Sequence, residues 1–188
     1  MANVSRISGF VPVRNLNGAP VNLALTTYFV PASDATALFV GDAVKLSGAS
    51  DVNGRRAVTK AAIGDAIVGT VVEFYPDLAN LNTPQFRPAS TARYVWVCDD
   101  PNTIYQAQIS GTVDAADVGL NANHADAGGS TFTGLSGETL NGATKATTAT
   151  LTWKILDFVQ SPENELGAFA KVFLKINNHQ LANATAGV

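Results

Sequence analysis

GDAVKLSGASDVNGRRAVTKAAIGDAIVGTVVEFY, residues 41–75, reads as three short strands separated by two turns. Val44 and Leu46 share one side of the first strand while Ala43, Lys45 and Ser47 share the other, the period-two pattern of a half-buried strand. Asn53-Gly54 supplies the reversal, because glycine takes positive φ without a Cβ clash and asparagine tolerates it better than most residues. Residues 56–61 return, Gly64-Asp65 marks a second reversal, and residues 66–74 form a strand with Val68, Thr70, Val72 and Phe74 on one side. A three-stranded meander cannot bury its apolar side alone, so the rest of the chain is expected to close over it.

Working outward, residues 21–30 carry the alternation of a strand that Pro31 ends. Residues 93–98 (RYVWVC) are apolar on both faces and are expected to be the most deeply buried strand. Tyr105, Ala107 and Ile109 alternate with Gln106, Gln108 and Ser110, and Leu151, Trp153 and Ile155 share one further strand face. Residues 115–120 suit a short helical turn. Beyond Ser161-Pro162-Glu163 the pattern fits either period; the reading adopted is a turn of helix over 162–166, then a strand over 169–177.

The connecting segments differ in kind. Residues 1–20 alternate imperfectly and are broken by Gly9, Pro12, Gly18 and Pro20, which predicts an extended arm or edge strand. Such an arm either folds onto its own domain or adds to a neighbour's sheet edge. Residues 76–90 hold three prolines and predict a long surface loop. Residues 121–149 are rich in Gly, Thr and Ala with almost no large apolar residue, which predicts an exposed, partly ordered excursion. The expected organisation is an all-β domain over 21–180, an antiparallel barrel or sandwich with little helix, preceded by the arm and followed by a frayed tail at 181–188.

Composition narrows the function. A chain of 188 residues with 46% hydrophobic residues can build a sizeable core, while charged residues make up only 14%. The formal net charge of −3 comes with no Lys/Arg cluster, which argues against neutralising nucleic-acid phosphates. No apolar run approaches a membrane span, and the N-terminus MANVSRISGF lacks the cationic and apolar regions of a secretory leader, so synthesis and assembly in a cytoplasm are expected. Cys98 is the sole cysteine; lying within an apolar strand, it is expected to be a buried thiol.

Chemistry-bearing patterns are sparse. His124, in the Gly-rich excursion, is expected to be solvated, and His179, beside Asn177 and Asn178, to bond backbone. Neither has the spacing of a metal ligand. The pairs Asp99/Asp100 and Glu163/Glu165 are better read as turn and helix-start residues than as facing catalytic acids. No nucleophile elbow, calcium loop or phosphate-binding loop is present, so neither enzymatic activity nor a cofactor or metal is expected.

Gly41, Asp42, Val44, Lys45 and Leu46, followed after a glycine-bearing turn by Gly64, Asp65, Ile67, Gly69, Val71 and Val72, resemble the head decoration or cement proteins of tailed bacteriophages. Phrases at 134–142, 146–156 and 164–180 are similar to ones in predicted phage virion proteins. The resemblance implies a structural virion protein on the capsid exterior, whose partners are the major capsid protein and further copies of itself as a dimer or trimer. Candidate contact residues are Arg6, Phe10 and Arg14 in the arm, Phe86 and Arg87 in the proline-rich loop, and Phe132 in the excursion. The alternatives are a β-barrel module for a glycan or other small ligand, with Tyr75, Phe86, Trp96 or Trp153 as a stacking platform, or another virion component such as a head-fibre base or tail protein. Trp96 and Trp153 lie among apolar neighbours on strands, which favours the core for both.

Overall fold

A computed structural model describes residues 3–21, 25–78, 80 and 82–182, and shows an almost entirely β protein. Strands β2 (Thr26–Val30), β3 (Ala43–Ser50), β4 (Arg56–Lys60), β5 (Gly69–Phe74) and β6 (Arg93–Cys98) close into a barrel in the order β2-β4-β3-β5-β6. The expected strand at 21–30 is strand over Thr26–Val30; residues 22–24, like the expected frayed end from 183 onward, lie outside the described residues.

The three strands of residues 41–75 form as expected, with Gly54 and Gly64 at positive φ in their turns, but their order is not that of a meander. β3 lies in the middle and pairs antiparallel with both β4 and β5. The turn at Gly64-Asp65 straddles the start of β3, and the Ala61 and Val68 N–H groups donate to the carbonyls of Ala43 (3.0 Å) and Val44 (2.8 Å). The pairing of β5 with β6 shifts register between Val71 and Glu73. This irregularity breaks the expected alternation, because an extra residue reverses which side chains point inward. Val68, Val71 and Phe74 therefore fill the barrel with Tyr28, Val44, Val58, Val95 and Val97, while Val72 packs on the second core.

That second core lies under a larger sheet. Its strands β7 (Thr103–Ser110), β9 (Asn121–Ala122), β10 (His124–Ala125), β11 (Thr139–Asn141), β12 (Trp153–Phe158) and β14 (Lys171–Ile176) run in the order β10-β11-β7-β14-β12-β9, and β1 (Val11–Asn15) also pairs with β7. β8 (Thr112–Val113) and β13 (Gly167–Ala168) form a separate two-stranded ribbon. The inward residues Tyr105, Ala107, Ile109, Trp153, Ile155, Val172, Leu174 and Ile176 meet Ala43, Ala61, Ile67 and Cys98 from the barrel, so one apolar cluster joins the two halves.

Three further expectations are corrected. β7, at the centre of the sheet, is buried along more of its length than β6, whose Tyr94 and Trp96 lie on the barrel's outer side. No helix forms at 162–166; Asn164 organises a loop instead, its amide donating to the carbonyls of Val159 (2.8 Å) and Lys171 (2.9 Å) while its Oδ1 accepts from the Lys171 N–H (2.7 Å). The segment 121–149 is an integral part of the fold: it contributes β9, β10 and β11 and buries Ala122, His124, Ser136, Glu138 and Leu140. Low apolar content misled there because polar side chains with internal partners stand in for apolar ones.

Candidate functional site

The arm folds back on its own chain. Asn3 donates to the carbonyls of Glu165 (2.7 Å) and Ala168 (2.9 Å), and its Oδ1 accepts from the Glu165 N–H (2.9 Å). Buried Gln108 clamps the next turn, accepting from the Arg6 N–H (3.0 Å) and donating to the carbonyls of Val4 (3.0 Å) and Phe169 (2.7 Å). Phe10 then enters the core and β1 runs along β7. Pinned this way, the arm still presents Val4, Ile7, Val11, Val13 and Leu16 to solvent, next to exposed Leu166 and Phe169 on the loop that holds Asn3. Phe169 has φ 57°, a left-handed conformation that is costly for a bulky non-glycine residue. Among the described residues, apart from a bridge between Arg14 and Pro20, no strand covers the outer edge of β1.

The six residues singled out from sequence divide by burial. Phe132 is 96% exposed at the tip of its loop, and Arg6 and Arg14 lie on the surface, the Arg14 guanidinium 5.2 Å from the centre of the Phe173 ring. Phe86 is half-buried and stacks on Phe39, with ring centroids 5.0 Å apart. Phe10 and Arg87 are fully buried within the chain, so neither is a contact surface in this conformation. Phe10 is drawn inward by Trp153; Arg87 is drawn inward by carbonyls, donating to Thr91 (2.7 Å), Pro31 (2.8 Å), Asp34 (2.7 Å) and Thr36. A guanidinium has five donors in a rigid fork, which suits it to knot two loops this way.

On the barrel's outer surface, Tyr75 and Trp96 lie with ring centroids 4.3 Å apart, next to Tyr94, whose hydroxyl donates to Asp51 (2.8 Å). Tyr75, Tyr94, Leu78 and Arg93 border an open apolar cavity against the loop at 76–90. Trp153, the other tryptophan, is fully buried against Phe10 and Tyr105, as expected of a core residue. Cys98 is likewise buried, its Sγ 3.4 Å from Thr103 Oγ1.

A buried ionic cluster joins the barrel to the segment 121–149. Lys60, at the end of β4, places Nζ 2.8 Å from Asp126 Oδ1, 3.5 Å from Glu138 Oε1 and 3.6 Å from Asp42 Oδ1. The side chains of Asp42 and Glu138 are wholly inaccessible and that of Lys60 is 7% exposed. The N–H groups of Phe39 and Ala43 donate to Asp42 Oδ2 (2.8 Å) and Glu138 Oε2 (2.9 Å). The other oxygen of each acid, Oδ1 and Oε1, has no hydrogen bond. Burial, reinforced by Asp42, pushes the Glu138 carboxyl up to about 8, and burial also raises that of Asp42. Burial works against the Lys60 ammonium, but the three carboxylates outweigh it and hold its pKa above the ordinary value.

Sequence reasoning missed this cluster and placed His124 in solvent, whereas the ring is buried with Nε2 3.4 Å from the Ala61 carbonyl. The one signal available was Asp42, inside the Gly-Asp pattern; the Lys60 and Glu138 positions carry no local mark. Among the described residues no group of His, Cys, Asp and Glu is arranged to hold a metal ion, and no helix is long and apolar enough to cross a membrane. Comparison of the chain with protein families, with curated proteins and with solved structures returns no match.

Proposed function

We propose that this chain is a structural virion protein that decorates the outer surface of a tailed-phage head, as a homo-oligomer bridging subunits of the major capsid protein. The observation that carries the reading is the apolar row Val4, Ile7, Val11, Val13 and Leu16, displayed on an arm that Asn3, Gln108 and Phe10 hold rigid. A preorganised apolar edge is suited to protein contact, since little ordering entropy is lost on docking. Arg6, Arg14 and Phe132 extend the exposed contact candidates. The mechanism is mechanical: each copy buries surface on neighbouring lattice subunits, weak contacts add through avidity, and binding the assembled lattice alone stabilises it by linkage.

The test is to mix the purified protein with expanded, undecorated capsids of its own phage. Stoichiometric co-sedimentation with a rise in capsid melting temperature is the expected result. Failure to co-sediment removes the proposal.

Exposed Tyr75, which borders an apolar cavity and lies against half-buried Trp96, favours a second reading, a glycan-binding module in which sugar faces stack on the rings. Retention on a carbohydrate array, lost on Tyr75→Ala, would select it.

A further inference from the structure

The Lys60 cluster is an unusual way to build a core. A single ammonium, hydrogen-bonded to Asp126, also faces two wholly buried carboxyl groups, and each keeps one oxygen free of hydrogen bonds and turned toward the same Nζ. Isolated buried charges are costly, and ion pairing repays the cost only with good hydrogen-bond geometry, which partly exposed Asp126 supplies to Lys60 at 2.8 Å but the two buried acids, at 3.5 and 3.6 Å, do not. Toward Asp42 and Glu138 the arrangement is poor as a salt bridge but well formed as a reactive assembly. We propose that Lys60 and Asp42 condense to an amide, an intramolecular isopeptide crosslink joining the start of β3 to the end of β4, with Glu138 as the acid that handles the protons.

The geometry assigns the roles. Val44 pairs with Lys60 in the β3–β4 ladder and the Ala61 N–H donates to the Ala43 carbonyl, so the barrel itself holds Asp42 beside the lysine. The Phe39 N–H fixes Asp42 Oδ2, leaving the Oδ1 side of the carboxyl toward Nζ at 3.6 Å. Glu138 arrives from the segment 121–149, is anchored by the Ala43 N–H, and presents its free oxygen to the same nitrogen at 3.5 Å. Fixing amine and acid in one frame replaces a bimolecular encounter with an effectively unimolecular step. Burial raises the Asp42 carboxyl, which eases proton transfer from Lys60, while the acids around the ammonium oppose it.

The reaction balances without any co-reactant. One proton passes from the Lys60 ammonium to the Asp42 carboxylate, giving an amine and a carboxylic acid. The Nζ lone pair attacks Cγ and the N–C bond forms. Glu138, protonated in its buried site, delivers its proton to the departing hydroxyl and takes the second nitrogen proton in its place, so that one C–O bond breaks, a single water leaves and the acid is regenerated. No atom changes oxidation state. The product amide keeps one N–H, with Asp126 and Glu138 in place to accept it. The proposal is independent of the capsid reading, since it concerns only the chain's own interior.

The test is intact mass spectrometry of the purified full chain under denaturing conditions. The expected mass is one water below that of the sequence, and proteolysis should yield a branched product joining the fragments that carry Asp42 and Lys60. An aspartyl succinimide also loses one water, so Lys60→Arg is the control: it should restore the full mass, and persistence of the water loss in that variant overturns the proposal. Glu138→Gln, which retains an acceptor for the Ala43 N–H, should stay folded by circular dichroism and slow crosslinking at least 100-fold, within the usual range for removing a general acid-base group. A wild-type chain at full mass after prolonged incubation at neutral pH overturns the proposal, and a branch at Glu138 instead of Asp42 overturns the assignment of roles.

Discussion

Phe10 lies flat against Trp153, with ring centroids 4.1 Å apart and planes 11° from parallel. The contact couples the arm to β12 within the same core cluster, and the edges of Tyr105 and His124 complete the aromatic group around it. The chain can reach the core because Gly9 and Gly41 pack backbone to backbone, the Phe10 N–H donating to the Gly41 carbonyl at 2.9 Å. A Cβ on Gly9 would sit 2.5 Å from that carbonyl oxygen, and Gly41 itself has φ 94°.

Phe10→Ala should therefore destabilise the whole domain, not merely loosen the arm. Truncation of a buried phenylalanine typically costs about 3–5 kcal/mol, through lost transfer energy and the cavity left behind. Urea denaturation followed by tryptophan fluorescence should show a single transition at lower midpoint. An unchanged midpoint would show that the arm contributes nothing to stability.

Arg87→Ala removes the donors for four buried or half-buried carbonyls and should cost about 3–5 kcal/mol, the range for breaking a buried charged network. Arg87→Lys should recover less than half of that, because an ammonium cannot reproduce the planar fork. Thermal unfolding of both variants at one pH checks the ranking.

Most strands were legible in the sequence because their apolar residues alternate: Tyr105/Ala107/Ile109 and Trp153/Ile155 face the core as the pattern requires. Val72 was placed on the wrong side because a register shift leaves no mark in a run of β-branched residues. His124 and Glu138 were misplaced for a deeper reason. Their burial depends on partners far away in sequence, the Ala61 carbonyl for one and the Ala43 N–H and Lys60 for the other, and no local window contains those partners. Phe10 and Arg87 looked like surface contacts for the same reason, since a proline-broken stretch reads as exposed unless its tertiary partner is known.

Glu138 makes stability depend on pH in an uncommon direction. Its folded carboxyl titrates at about 8 against an ordinary 4.5, chiefly through burial, with Asp42 and Asp126 raising it and the Ala43 N–H and Lys60 opposing them. The folded state then holds a proton that the unfolded state has released, so stability falls as pH rises from about 4.5 to about 8. Glu138→Gln should flatten the decline across that window. Loss of the Lys60 and Asp42 charges together through an amide leaves burial as the main cause, so the direction is the same in the crosslinked chain. Denaturation midpoints at pH 5, 6, 7 and 8 (roughly spanning the interval between the two protonation limits) check the sign.

The outer edge of β1 separates a binding role from a folding one. Val11 and Val13 point away from the core, 41% and 37% exposed, so replacing both with Lys should change stability by no more than about 0.5 kcal/mol per site. Each charge would have to be desolvated against an apolar partner, and lysines along a strand edge are a common device by which edges repel pairing. The double variant should fold normally by circular dichroism yet lose at least tenfold in affinity for undecorated capsids. Phe132→Ser, at a 96% exposed loop tip on a different part of the chain, serves as the comparison: an equal loss would widen the contact surface to include that loop, whereas no loss confines it to the arm. Undiminished binding by the β1 variant would remove the arm from the interface altogether, because two charges cannot be buried in an apolar contact without a measurable penalty.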